Sequence, residues 1–207
     1  MKTTPTPAKG LIALLRLPYW LMTGGLAVLT AFAILKGNFA DVPTTLGTMS
    51  IGLVALLTFF SMALIASAGF AINDYFDRES DAVIKPKRPI PSGALTYKQA
   101  VAVSGLLFAV GLVLSFFINW LSFAIIAIDS LLLIVYSYLV KRKSGFAANL
   151  LMGVLTGTAF IYGQATVTGT IDLVSLTLYP IAFGTIGGNV LRDIFSAEGD
   201  AKVGYPT

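Results

Sequence analysis

Six apolar runs dominate the 207-residue sequence: roughly Leu17–Leu35, Leu46–Ile72, Ala100–Ile118, Trp120–Val140, Phe146–Thr168 and Leu173–Leu191. Each approaches the ~20 residues that an α-helix needs to cross a hydrocarbon core. Polar positions come in short bursts between them. The pattern predicts an all-α integral membrane bundle with about six transmembrane helices visible, forming a single domain over 1–207. The run after Arg16 outlasts the about 7–15 residues of a signal-peptide core, so it reads as a retained first span.

Composition sharpens this reading. Hydrophobic residues make up 56% and charged residues 12%, against about a quarter charged in soluble domains. Cysteine and histidine are absent, which removes disulfide frameworks, Cys/His zinc sites and histidine bases. Of the 14 cations, only Lys36 falls in a loop on the face opposite the N-terminus. The others flank the N-terminus, the second and fourth loops and the tail, which predicts a multi-pass cell-membrane protein whose N-terminus and charged loops are cytoplasmic. The net charge of +4 then belongs to loops beside anionic headgroups, and nucleic acid is not an expected partner.

One segment concentrates the charge. NDYFDRESDAVIKPKRPIPSG, from Asn73 to Gly93, follows the second span. If the helix continues past Ile72, Asp74, Asp77 and Asp81 share one face. Like charges 4 Å apart repel by about 4 kcal/mol at an effective dielectric near 20, so a compensating cation is expected. Hard oxygen donors, with the Asn73 amide added, point to Mg²⁺. The plainer alternative is a solvated helix end whose acids pair with Arg78 and Lys85.

A second segment after the sixth span repeats the first. DYFDRESD (Asp74–Asp81) aligns with DIFSAEGD (Asp193–Asp200), matching Asp74 with Asp193, Glu79 with Glu198 and Asp81 with Asp200. Gly69 and Gly188 stand five residues before the leading aspartates. This implies an internal four-helix repeat, 11–140 and an incomplete 146–207, and repeats of this kind place their site at the shared interface. Two acidic helix ends beside Lys87, Arg88 and Lys141 suit an anionic head, best a diphosphate, above apolar helices that suit a lipid tail.

NDYFDRESD, then KRPIPSG, then RDIFSAEGDAKVGYPT resemble the two signature motifs of the UbiA superfamily of intramembrane prenyltransferases. LRLPYWLMTGGLAV, YSYLVKRK and AANLLMGVLTG are similar to further family stretches. Within the superfamily the motifs look most like archaeal digeranylgeranylglyceryl phosphate synthases, and chlorophyll-synthase-like members share much of the same wording. The resemblance implies Mg²⁺-dependent transfer of a prenyl group, geranylgeranyl in that branch, from a prenyl diphosphate. The acceptor it implies is geranylgeranylglyceryl phosphate, or an aromatic or chlorophyllide-like molecule in the alternative branches. Carried over by match, Asn73, Asp74, Asp77, Asp81, Asp193 and Asp200 hold metal, with Asp74, Asp77 and Asp193 catalytic. Lys87, Arg88, Lys141 and Asn149 line the diphosphate site. Ser196 stands where many relatives have Asp, and Arg16-Leu17-Pro18-Tyr19-Trp20 departs from the usual opening, so one polar contact is expected to be missing. The implied fold has eight or nine helices, so the resemblance also implies a chain truncated at its C-terminus.

Other polar positions read more plainly. Asp129 lies near the middle of the fourth span, where an acid costs about 2.5–3.5 kcal/mol and calls for a partner or a role with the acceptor. Thr156 and Gln164 read as helix-packing contacts, and Tyr19 and Trp20 as interface anchors. Pro86, Pro89 and Pro91 stiffen the loop bearing Arg88. A small transporter or a lipid-binding fragment is the rival class. A transporter predicts polar groups through the whole membrane thickness, where this sequence has one mid-depth acid.

Overall fold

The computed structural model describes residues 6–201, apart from the side chains of residues 192, 193 and 196–201. Among these residues six helices are long and apolar enough to cross a membrane: Pro7–Leu35, Ile51–Phe76, Tyr97–Ile118, Trp120–Lys143, Gly145–Thr168 and Leu173–Leu191. They are called the first to sixth spans below.

Local chemistry fixes where most spans begin. Ser50, Asn119, Ser144 and Asp172 each accept a backbone N–H from the first turn they precede, and Thr96 with Gln99 forms a reciprocal capping box. These caps correct the sequence estimate of the second span. Leu46 does not start it, because Val42–Thr44 (β1) and Gly47–Met49 (β2) pair as an antiparallel hairpin. Gly47 takes the positive φ of 109° in that hairpin, a conformation open to glycine at little steric cost. The first span begins earlier than Leu17. Its opening helix Pro7–Leu15 ends at Arg16 in the left-handed region, and a new helix starts at Pro18. Pro180 lies in a 3₁₀ turn, Tyr179–Phe183, that divides the sixth span, as its missing N–H requires.

The second span is the hub. It packs most extensively on the third span and also meets the first, fourth and fifth. The core between them is Ala27, Met62, Ile65, Ile125, Ile126, Ala159, Tyr162 and Ala165. Outward positions such as Leu29, Leu56, Leu106 and Leu131 are exposed apolar residues, the surface that a bilayer covers.

Small residues let the backbones approach. A Cβ on Gly163 would stand 2.2 Å from the Ala27 carbonyl oxygen, and one on Gly24 would stand 2.5 Å from that of Phe59. Both obstacles are backbone, so neither can swing aside. Gly163→Ala is expected to push the first and fifth spans apart at a cost of about 1–3 kcal/mol. A lowered thermal midpoint in detergent checks this, and an unchanged midpoint contradicts the close approach.

Polar side chains inside the bundle serve packing. Trp20 is not simply an interface anchor: its indole N–H donates to Ser67 Oγ at 2.7 Å, and Ser67 donates to the Leu15 carbonyl at 2.7 Å. The first span is thus pinned to the second just above Arg16. Gln164 accepts from the Ser175 N–H at 3.3 Å, and Thr156 donates to the Met152 carbonyl at 2.8 Å. Asp129 is buried with a hydrogen bond to Thr158 of the fifth span, so a facing helix supplies its partner.

Candidate active site: an acidic helix end met by three basic side chains

The charged segment continues the second span with barely a pause. Helix Ile51–Phe76 gives way to helix Arg78–Ile84 with only Asp77 between them. Backbone bonds run Asp77 N–H to Asn73, Asp81 N–H to Asp77 and Lys85 N–H to Asp81, at 2.8–2.9 Å. The helical i→i−4 ladder therefore crosses the junction, and Asp74, Asp77 and Asp81 fall on one inward face. Each is buried, at 3–4% exposure.

The repulsion anticipated from the sequence is offset by three cations from three parts of the chain. Arg16, at the left-handed kink of the first span, donates from Nη2 to Asp74 Oδ1 at 2.6 Å. Its guanidinium also stacks over Phe70, 4.5 Å from the ring centroid. A left-handed residue costs about 1–2 kcal/mol, which this charge-assisted bond and the stacking offset. Arg88 Nη1 donates to Asp74 Oδ1 at 3.0 Å and also to Asp81 Oδ2, bridging the two acids. Lys141, following a wide π-helical turn at Tyr136–Val140, pairs with Asp77. Such turns recur at functional positions because they re-aim the residues after them. Asn73 Nδ2 donates to Asp77 Oδ2 at 2.8 Å.

The loop that presents Arg88 is built to hold it. Arg88 N–H bonds to the Lys85 carbonyl at 3.0 Å, Ser92 N–H to the Arg88 carbonyl at 2.9 Å, and Leu95 N–H to the Pro89 carbonyl at 3.0 Å. Pro89 is buried, and Gly93 takes a φ of 77° where the loop turns back. The prolines expected to stiffen this loop thus sit within a set of closed turns.

Electrostatics follow the geometry. Burial holds the Asp81 carboxyl above its usual 3.8; Arg88 pulls it down by charge and hydrogen bond, and Asp77 and Asp74 push it up. Lys85 lies at the rim. Burial of its ammonium, then the Arg88 charge, holds it below its usual 10.5, against the pull of Asp81, and Lys141 lowers it further. The alternative pairing of the acids with Arg78 does not occur: Arg78 bonds to Glu79 and to the Tyr75 carbonyl.

The other expected residues divide. Asn149 is buried near the start of the fifth span. Lys87 is exposed, and no ion pair of the described residues includes it. Asp193, Asp200, Glu198 and Ser196 belong to the backbone helix Gly184–Ala201, and their side chains lie outside the described residues. Arg16 is the contact sequence reasoning missed. The opening around it looked one polar group short, yet the arginine reaches Asp74 across 58 residues. Its signal was a cation standing immediately before the first apolar run.

The donor set suits a magnesium ion. It consists of three aspartates and an amide, all hard oxygens. Asn73 Oδ1 is buried without a hydrogen-bond partner, an acceptor of the kind a metal or its water satisfies. Among the described residues no three acids form a ready-made cage.

Comparison with known proteins places this arrangement. Residues 26–207 match the model of the UbiA prenyltransferase family. The chain belongs to that family. This UbiA chain is 36% identical over 199 residues to a Natronomonas pharaonis protein named digeranylgeranylglyceryl phosphate synthase, covering 96% of this chain and 67% of the relative. A Methanosarcina mazei protein of the same name is 36% identical over 205 residues, covering 95% and 68%. The chain thus spans about two thirds of the length of these relatives. A solved structure described as digeranylgeranylglyceryl phosphate synthase in membranes superposes with a TM-score of 0.77 at 29% identity, covering 97% of this chain and 67% of that one. An Archaeoglobus fulgidus UbiA homologue, bound to DMAPP and Mg²⁺, shares the fold with a TM-score of 0.66 at 20% identity, covering 93% and 66%. The all-α, multi-pass membrane architecture expected from the apolar pattern is therefore that of the family.

Proposed function

We propose that this chain carries out Mg²⁺-dependent transfer of a geranylgeranyl group from its diphosphate to a lipid acceptor, geranylgeranylglyceryl phosphate. The observation that carries this reading is the convergence of buried Asp74, Asp77 and Asp81 with Arg16, Arg88 and Lys141 at one end of an apolar bundle. The names of the relatives support the choice of acceptor.

In the reaction the C1–O bond of an allylic diphosphate breaks, a C–O bond forms to the acceptor hydroxyl, and the hydroxyl proton passes to the departing pyrophosphate. Asp74, Asp77, Asp81 and the Asn73 amide oxygen would hold magnesium, which when bound would neutralise charge on the departing pyrophosphate. Arg88 and Lys141 stand where the phosphate oxygens require donors, and charge-assisted bonds of this type are strongest where water is scarce. Asn149 lies at the near end of the fifth span and completes the polar wall. Asp193 and Asp200 would add carboxylate ligands to the metal from the second acidic segment. The apolar spans receive the isoprenoid tail and keep water from the developing allylic cation. The positive-inside distribution of Lys and Arg orients this end toward the cytoplasm.

Product analysis with geranylgeranyl diphosphate and a panel of acceptors tests the reading. Geranylgeranylglyceryl phosphate is expected to yield a diether and pyrophosphate only when Mg²⁺ is present. Transfer instead to a 4-hydroxybenzoate-like aromatic or a chlorophyllide-like macrocycle moves the protein to another branch. Ion flux without pyrophosphate release refutes prenyl transfer.

A further inference from the structure

Each carboxylate of the first acidic segment already carries a basic side chain: Arg16 and Arg88 on Asp74, Arg88 on Asp81, and Lys141 on Asp77. Among the described residues three acids thus meet three cations. A divalent cation added alone competes with Arg88 for the lone pairs of Asp74 and Asp81. A prenyl diphosphate, with about three negative charges on the same basis as a phosphate monoester, must draw Arg88 away from Asp74 and Asp81, and Asp81 then loses the cation that faces it. Removing one partner of a buried pair is strongly unfavourable, because it leaves a buried charge uncompensated. Both ligands together remove both penalties: the metal takes the carboxylates, and the basic side chains turn to the phosphates.

The three cations are not equivalent. Arg16 is fixed, stacked on Phe70 beneath a helix kink and bonded to one acid. Arg88 spans two acids from a loop, so one side-chain rotation frees Asp81 and leaves Asp74 with Arg16. We propose, on the reading given above, that Arg88 is an exchangeable counter-cation. It leaves Asp74 and Asp81 for the diphosphate as the metal arrives, and so makes metal and diphosphate bind with positive coupling, while Arg16 stays on Asp74.

Coupling of this kind is reciprocal between the two ligands, so it can be read without turnover. Mn²⁺ binding to the purified full chain in lipid nanodiscs is measured by the loss of the free-ion EPR signal, with and without inorganic pyrophosphate. In the unaltered protein pyrophosphate is expected to tighten Mn²⁺ binding by about tenfold or more, within the usual range of such couplings. Arg88→Gln is expected to bind Mn²⁺ more tightly than the unaltered protein when pyrophosphate is absent, and to lose most of the coupling. Association of Mn²⁺ with pyrophosphate in solution is common to both proteins, so the difference isolates Arg88. Arg88→Lys, which keeps the charge, is expected to restore much of the coupling and so controls for folding. Arg16→Gln is expected to retain the coupling factor. Equal coupling in Arg88→Gln and the unaltered protein overturns the exchange, as does loss of coupling in Arg16→Gln alone. Failure of the unaltered protein to bind Mn²⁺ under either condition overturns the functional reading beneath it.

Discussion

Replacing Asp74 with alanine is expected to abolish prenyl transfer, a loss of about 10³-fold or more, which exceeds the usual cost of removing one electrostatic group from a reacting centre. Asp74 is the carboxylate most shared in the cluster, accepting from Arg16 at 2.6 Å and from Arg88 at 3.0 Å. Its removal takes away a proposed metal donor and leaves two guanidinium groups facing each other without their common anion. The variant is still expected to insert, because its six spans keep their apolar character. Asp74→Asn separates the two consequences: it keeps the shape while losing the charge. Steady-state turnover, with membrane insertion checked by protease accessibility, measures both. Mg²⁺-dependent turnover retained in Asp74→Ala contradicts a metal role for this residue.

Arg88→Ala is expected to raise the KM for prenyl diphosphate by about 10- to 100-fold. A hydrogen bond to a charged group contributes about 1.5–3 kcal/mol, and each 1.4 kcal/mol is tenfold in affinity. The acceptor KM is expected to change far less, since the loop from Lys85 to Leu95 holds Arg88 through backbone turns that the substitution leaves in place. Initial rates with each substrate varied in turn make the distinction. An unchanged donor dependence counts against the assigned contact. The expected rise in donor KM agrees with the exchange proposed for this residue, because the alanine variant frees the acids yet loses the phosphate donor.

Much of the architecture was legible before any coordinates. Apolar runs near the length of a membrane crossing admit few alternatives, and all six spans stand where those runs lie. The misplaced starts have local causes. The hairpin Val42–Thr44 with Gly47–Met49 is made of residues apolar enough to extend a span, and only the Gly47 turn and the Ser50 cap end the ambiguity. The first span was placed late because Lys9 and Arg16 interrupt an amphipathic opening helix that lies outside the apolar run.

The site was legible in part. Asp74, Asp77 and Asp81 share a face through helical periodicity, which a sequence carries openly. Their partners are another matter. Arg16, Arg88 and Lys141 come from three separate places in the chain, and only packing of the first, second and fourth spans brings them together. Periodicity cannot tell Arg88 from its neighbour Lys87, two positions beyond Lys85 in one loop. The closed turns that direct one cation inward and leave the other exposed settle it. Arg78 looked a nearer partner for the acids than Arg16. It bonds instead to Glu79 and to the Tyr75 carbonyl.

The account rests on metal and diphosphate meeting at the buried aspartates. Phosphorus NMR of bound geranylgeranyl diphosphate, with Mn²⁺ added as a paramagnetic substitute for Mg²⁺, tests that meeting directly. Strong broadening of both phosphorus signals is expected in the unaltered protein and its loss in Asp74→Asn/Asp77→Asn. Broadening that persists in the double variant, or a diphosphate that binds without feeling the metal, contradicts the account.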